Sequence, residues 1–395
     1  MIRLSGADIV LPDRLLSPGT VVIEGDRIVD VVAGGGSDLH GHYVVPGFID
    51  VHMHGVNGYD TLDSSEAVGA IASFLPRHGT TAFCPTSIAC TPEVLRRLLS
   101  SIAALRSPGG PDRERPPRAR VLPAHLESNF INPEFKGAQP LECLRRPNAR
   151  QHDGEFSGAQ ILEEIANARA HVGIVTVAPE VDGVLDLIRL LVRDGHHVSL
   201  GHSGATYEEA LAGIDAGARQ ATHLFNRMTP IAQRAPGLAA AVLESDDVAA
   251  ELVSDGCHVH PAMMRVAIAA KGPSRVMAIT DGTAGAGLPR GATSVIGGRR
   301  ITVGDVALLE DGTIAGSVLT MDQAFGRLVS AVGVSLVDAA TMCATTPARE
   351  LGLHGLGVIA PGATADLVVL DRDLKVVRTY IAGELAWPTV RNREV

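Results

Sequence analysis

Two histidines one residue apart close an apolar run, "YVVPGFIDVHMH" at 43–54. Residues two apart on an extended strand share one face, so His52 and His54 can both point to the same side. Other short apolar runs also end in groups able to bind metal or move protons. His125 and Glu127 close "RVLPAHLES" (120–128), His202 closes "HHVSLGHS" (196–203), and His223 lies in "RQATHLFN" (219–226). Asp255 and His258 close "VAAELVSDGCHV" (248–259), and Asp281 closes "VMAITDGT" (276–283). Imidazoles and carboxylates gathered in one place suit zinc or ferrous iron. A catalytic metal keeps one position open for water and lowers its pKa to about 7. A single His-x-His pair is more often packing than ligation, but packing does not produce the same pattern at one run end after another. Cys257 is the only cysteine near these ends, so a thiolate site is not expected. His125 stays open between a supporting role and a core position. His40, His42, His152, His196, His197, His260 and His354 read as ordinary loop or surface residues.

These groups can meet only if the runs that carry them are strands of one sheet. Two further runs, "TTAFCPTSI" (80–88) and "GIVTVAPE" (173–180), bring the set to eight, each apolar enough for a parallel strand buried on both faces. Helical patterns lie between most of them, at 65–78, 91–106, 157–171, 182–195, 206–217 and 261–272. Thr91 with Pro92 reads as a helix start, and Thr206 with Glu209 has capping-box spacing. Eight strand–helix units predict an α/β fold, a (β/α)₈ TIM barrel whose chemistry sits at the C-terminal strand ends. The two ends of the chain alternate as strands and turns, and neither piece suffices for a stable sheet by itself. Residues 1–47 and 356–395 are therefore expected to form one small β-sandwich beside a barrel at 48–355. Residues 292–316 read as a hairpin insertion after the eighth strand.

Composition narrows the partners. The chain has 395 residues, 46% hydrophobic and 20% charged, enough for a large core. Its formal net charge is −10, which speaks against nucleic acid. The short basic run "PDRERPPRAR" (111–120) reads as a solvated loop. Five scattered cysteines without a CxxC indicate a reducing compartment rather than a disulfide framework. No signal core or membrane-length apolar window is present. The expectation is a cytoplasmic protein with no membrane partner.

The segments "PGFIDVHMHG", "HLES", "LGHSGAT", "THLFNRM", "SDGCHVHP", "ITDGTAGAGLP" and "DGTIAGSVLTMDQAF" together resemble the N-acetylglucosamine-6-phosphate deacetylases of the amidohydrolase superfamily. The resemblance runs over nearly the whole chain. It implies one metal site at Glu127, His202 and His223 and a second at His52, His54 and Asp281. One or two divalent ions, Zn²⁺ or Fe²⁺, are thus expected per chain. It also implies that Asp281 takes a proton from the attacking water and delivers it to the leaving amine. Asn226, Arg234 and His258 resemble positions that hold the sugar phosphate, with Arg227 and Asp255 counted among the substrate contacts. In the family the arginine crosses from the neighbouring subunit, so a homodimer is implied. Ala138, Gln139, Ile314, Ala315 and Gly316 resemble loops that close over the sugar and its acetyl group.

The chain departs from the family pattern in three places. "HLESN" replaces the usual "HLEGP", so Ser128 and Asn129 follow a metal ligand. Gln139 stands where a histidine is common; it can donate a hydrogen bond but cannot carry a proton charge. "TDG" replaces the commoner "TDA". These changes leave the reaction class intact and bear on which amino sugar is used, N-acetylglucosamine or N-acetylgalactosamine 6-phosphate. A cyclic-amide or dipeptide hydrolase would have no use for Asn226, Arg234 and His258 together. A catalytically dead scaffold would be expected to lack one of the ligands, and none is missing.

Overall fold

The computed structural model describes residues 1–107, 117–147 and 155–388. Most of the basic run at 111–120 lies outside them, as do His152 and the last residues of the tail. Eight parallel strands follow one another in a single sheet: Phe48–Met53, Thr80–Ser87, Ala124–Glu127, Val172–Val177, His197–Leu200, Gln220–Ala221, Ala249–Val253 and Val276–Ile279. The ring closes between the eighth and first strands. Asp281 N–H donates to the His52 carbonyl at 2.9 Å, and His54 N–H donates to the Gly282 carbonyl at 2.8 Å. The barrel seam therefore carries the His pair and Asp281 side by side.

The helices clothe this ring for the expected reason. In Val184–Arg193 the buried residues are Val184, Leu187, Ile188 and Leu191, the i, i+3, i+4, i+7 stripe of one helical face. Each such aliphatic side chain contributes roughly 1.5–3 kcal/mol on burial, and Leu187→Ala would cost about 2–5 kcal/mol. The helix Tyr207–Asp215 starts with the expected reciprocal cap: Thr206 N–H donates to Glu209 at 2.8 Å, and Glu209 N–H donates to Thr206 Oγ1 at 3.2 Å. Thr91 occupies the N-cap of Pro92–Arg106, but its side chain makes no capping bond.

The run 43–54 is not one strand. Tyr43–Pro46 pairs with the terminal sheet, and the barrel strand begins at Phe48. Strands from residues 2–46 and 367–387 build one seven-stranded sheet. It carries its own apolar cluster, which includes Ile9, Val21, Ile28, Val44, Leu367 and Val369. Main-chain bonds between Ile28 and the 362–363 segment draw the first and last parts of the chain together. The expected insertion is a three-stranded antiparallel unit, Thr293–Ile296, Arg299–Val303 and Ala307–Leu309, set over the C-terminal end of the barrel. No helix among the described residues is long and apolar enough to cross a membrane.

Candidate active site

The C-terminal strand ends bring six side chains together, all at least nine-tenths buried: His52, His54, Glu127, His202, His223 and Asp281. Glu127 Oε1 lies 2.9 Å from His202 Nε2 and 2.8 Å from His223 Nε2, and those two nitrogens are 3.1 Å apart. A second convergence lies beside it. His52 Nε2 and His54 Nε2 are 3.2 Å apart, with Asp281 Oδ1 at 3.4 and 3.2 Å from them. Glu127 borders this group too, at 3.7 Å from His52 and 3.6 Å from His54.

Local backbone geometry aims these groups. His202, His223 and Asp281 have φ of 48°, 30° and 48°, left-handed values that non-glycine residues rarely take. Such strain gathers at functional sites, where the surrounding structure over-determines it. Gly316 also has a positive φ, 76°, and a Cβ there would come within 2.7 Å of the Asp281 carbonyl oxygen. Only glycine lets this loop lie against Asp281.

Electrostatics sets the protonation of the ring. Burial pushes Glu127 upward, but His202, His223 and His52 outweigh it and hold the carboxyl well below its usual range. Burial likewise opposes ionisation of Asp281; the hydrogen bond with His54 and the nearby imidazoles bring it to about 2. Burial drives His52 down to about 3 against the pull of Asp281 and Glu127. A neutral His52 whose Nδ1–H donates to Glu251 at 2.9 Å leaves its Nε2 lone pair facing the ring. His202 is arranged alike, with Nδ1–H donating to the Phe135 carbonyl at 2.8 Å.

This donor set fits divalent metal ions. Atoms bound tetrahedrally at about 2.1 Å stand about 3.4 Å apart, and the spacings above bracket that value. The Glu127, His202, His223 trio and the His52, His54, Glu127 trio each converge closely enough to share one ion.

Above the ring opens a cavity of about 420 Å³. Ala138, Gln139, Asn226, Arg227, His258, Ile314, Ala315 and Gly316 line it together with every member of the ring except the fully buried His52. Gln139 is locked in orientation: its Oε1 accepts from Ala89 N–H at 2.7 Å, so its NH₂ faces Glu127 Oε2. Asp255 does not line the cavity. Its carboxylate folds back under its own turn, accepting from Cys257 N–H at 2.9 Å, His258 N–H at 2.8 Å and His258 Nδ1 at 2.6 Å. It holds His258 rather than facing a ligand. Arg234 is exposed and lies outside the cavity of its own chain.

Some features were not anticipated from the sequence. His196, read as a loop or surface residue, is buried with Nδ1 on the Val172 carbonyl at 2.9 Å, whereas His125, left between a supporting and a core position, is fully buried behind the ring. Glu180, just beyond the fourth strand, ties Asn132, Ser203 and Gly204 together next to His202. Glu251 sits inside the seventh strand; its one sequence signal is a carboxylate in the otherwise apolar "AAELV". Ser128 and Asn129 are buried and hydrogen-bonded: Ser128 Oγ donates to Thr176 O at 2.6 Å, and Asn129 Nδ2 donates to the Cys90 and Cys143 carbonyls.

Residues 43–386 match the model of the amidohydrolase family. The chain is 35% identical to an N-acetylgalactosamine-6-phosphate deacetylase of Escherichia coli O157:H7, over 86% of this chain and 87% of that one. It is 35% identical to the N-acetylglucosamine-6-phosphate deacetylase of Mus musculus, over 95% and 90%. Among solved structures it resembles N-acetyl-D-glucosamine-6-phosphate deacetylase of Mycobacterium smegmatis in complex with N-acetyl-D-glucosamine-6-phosphate, at 34% identity and a TM-score of 0.87, covering 98% and 99% of the two chains. The enzyme of Thermotoga maritima aligns with a TM-score of 0.84 at 31% identity, covering 98% and 100%.

Proposed function

The chain belongs to the amidohydrolase family, and from that premise we propose that it hydrolyses the acetamide of N-acetyl-D-glucosamine 6-phosphate to glucosamine 6-phosphate and acetate. The observation that carries this reading is the convergence of His54, Glu127, His202, His223 and Asp281 at the floor of one cavity, with His52 fully buried directly beneath them. The walls of that cavity carry Asn226, Arg227 and His258.

Glu127, His202 and His223 hold one divalent cation, and His52, His54 and Asp281 hold a second where two are present; zinc and ferrous iron suit the donors. A bound cation supplies Lewis acidity toward the carbonyl and lowers the pKa of water. Asp281, kept ionised by the imidazoles around it, accepts the proton of the attacking water and returns it to the leaving nitrogen. Gln139 turns its NH₂ toward the floor and can donate to the acetyl carbonyl oxygen as negative charge develops there. Asn226, Arg227 and His258 face the sugar phosphate, and Asp255 holds His258 in place. Arg234, exposed on its own chain, would serve the phosphate bound in a neighbouring subunit of a cytoplasmic homodimer.

Acetate release from a panel of N-acetylhexosamines tests this reading. N-acetylglucosamine 6-phosphate should be turned over fastest, ahead of its galactosamine epimer and of the unphosphorylated sugars. Exhaustive chelation should abolish activity, and zinc or ferrous iron should restore it. Full activity in chelated, metal-free protein would overturn the metal assignment.

A further inference from the structure

Behind His52, on the side away from the cavity, lies a carboxylate that the reaction above does not use. Glu251 is fully buried in the strand Ala249–Val253. Its Oε2 accepts from His52 Nδ1–H at 2.9 Å and, more distantly, from His223 N–H at 3.3 Å. Its Oε1 has no hydrogen-bond partner among the described residues and lies 3.6 Å from His125 Nδ1. That nitrogen is already committed: His125 Nδ1–H donates to the Val51 carbonyl at 2.9 Å, and His125 Nε2 pairs with the Thr176 hydroxyl at 2.8 Å. With both ring nitrogens engaged, His125 neither serves as a ligand nor turns to satisfy Glu251. The one imidazole that Glu251 grips directly is His52.

We propose that Glu251 is the positioning residue that makes the His52, His54, Asp281 position able to hold a metal ion. The inference rests on the metal-dependent reading above. Of the two imidazoles in that position, only His52 is anchored from behind, because His54 Nδ1 has no partner among the described residues. A carboxylate on the far nitrogen fixes the tautomer and the ring orientation and makes the near nitrogen a better donor. The neighbouring position does not depend on this contact. His202 is anchored by the Phe135 carbonyl. The turn at His223 is held by a main-chain bond, Leu224 N–H to the Glu251 carbonyl at 2.8 Å, which no side-chain change at 251 removes. Loss of the carboxylate therefore falls chiefly on the His52 position; at the other it removes only the longer contact to His223 N–H, while the main-chain bond there stays.

The test is a zinc titration against a competing chelator, run on the full chain and on Glu251→Gln and Glu251→Leu. The wild-type chain should take up two zinc ions. Glu251→Gln keeps the shape and an acceptor but not the charge, and should weaken one of the two by about 10-fold. Glu251→Leu removes the acceptor and should weaken the same one by about 100-fold, the scale known for supporting groups around metal ligands. The other zinc should bind as in wild type, and excess zinc should restore turnover in both variants. Parallel weakening of both ions, or unchanged binding of both, would overturn the inference. So would a wild-type chain that holds a single ion as tightly as the variants do. If Glu251→Leu does not fold, the shape-preserving Glu251→Gln decides the matter. Wild-type protein that binds no zinc or iron would instead sink the functional reading itself.

Discussion

His54 Nε2 and Asp281 Oδ1 lie 3.2 Å apart across the seam where the first and eighth barrel strands meet. The same seam is sewn by the hydrogen bond from Asp281 N–H to the His52 carbonyl, so closing the barrel and assembling this part of the site are one event.

Asp281→Asn preserves the shape of the seam and removes the proton acceptor. The variant should fold and keep most of its metal, while kcat falls by about 10²-fold or more, the scale of general acid–base catalysis. Steady-state kinetics with metal analysis checks this. Turnover near wild type would remove Asp281 from the proton-transfer role.

Gln139→Leu would strand the Ala89 N–H and one Glu127 oxygen in a buried site. A stability loss of about 1–3 kcal/mol is expected, with kcat down by about 10²-fold if the amide also serves the carbonyl oxygen. Gln139→His should keep much of the activity and add an ionisation near pH 6.5 to the kcat/KM profile. An unchanged profile would mean that residue 139 does not meet the substrate.

Arg234→Ala tests the phosphate contact and the dimer together. A charge-assisted bond worth about 1.5–3 kcal/mol corresponds to a loss of about 10- to 150-fold in kcat/KM for the 6-phosphate. Activity on the unphosphorylated sugar should barely change. Equal losses on both substrates would assign Arg234 to holding the loop or the subunits together.

Asp322 offers a pH test away from the metal ligands. Burial raises its pKa, but the hydrogen bond and charge of His78, at 3.1 Å, together with Thr320, bring it below the ordinary value. A folded-state pKa below the unfolded one, about 3.9, means stability that is present above that pH and lost as pH falls through the folded value. Asp322→Asn should therefore cost about 1 kcal/mol at pH 7, and the deficit should shrink below pH 4. Denaturant unfolding at both pH values decides; an equal deficit at each would rule out the charge as its cause.

Much of the fold was legible because each barrel strand is buried on both faces, which forces a continuous apolar run that composition alone reveals. The helix Val184–Arg193 announced itself through its apolar stripe, and the Thr206 cap through local spacing. Local rules failed where a tertiary neighbour decided. The run 43–54 reads as one strand, yet Tyr43–Pro46 belongs to the terminal sheet because Leu367–Leu370 comes from more than 300 residues away to pair with it. Thr91 had the right neighbours for a cap and makes none.

By itself the sequence determined the ligand types, the strand ends that carry them and the kind of chemistry they suit, because residue identity and two-residue alternation are local properties. Only the tertiary structure decided how those groups are used. Left-handed turns at His202, His223 and Asp281 aim the side chains inward, a conformation uncommon for any residue with a Cβ and held here by the surrounding contacts. Asp255 faces its own turn instead of the cavity, and Arg234 is exposed outside it, since placement depends on what packs around each residue. Glu251 passed unnoticed in an apolar run because its partner His52 is 199 positions away, and the contact between them exists only once the barrel closes.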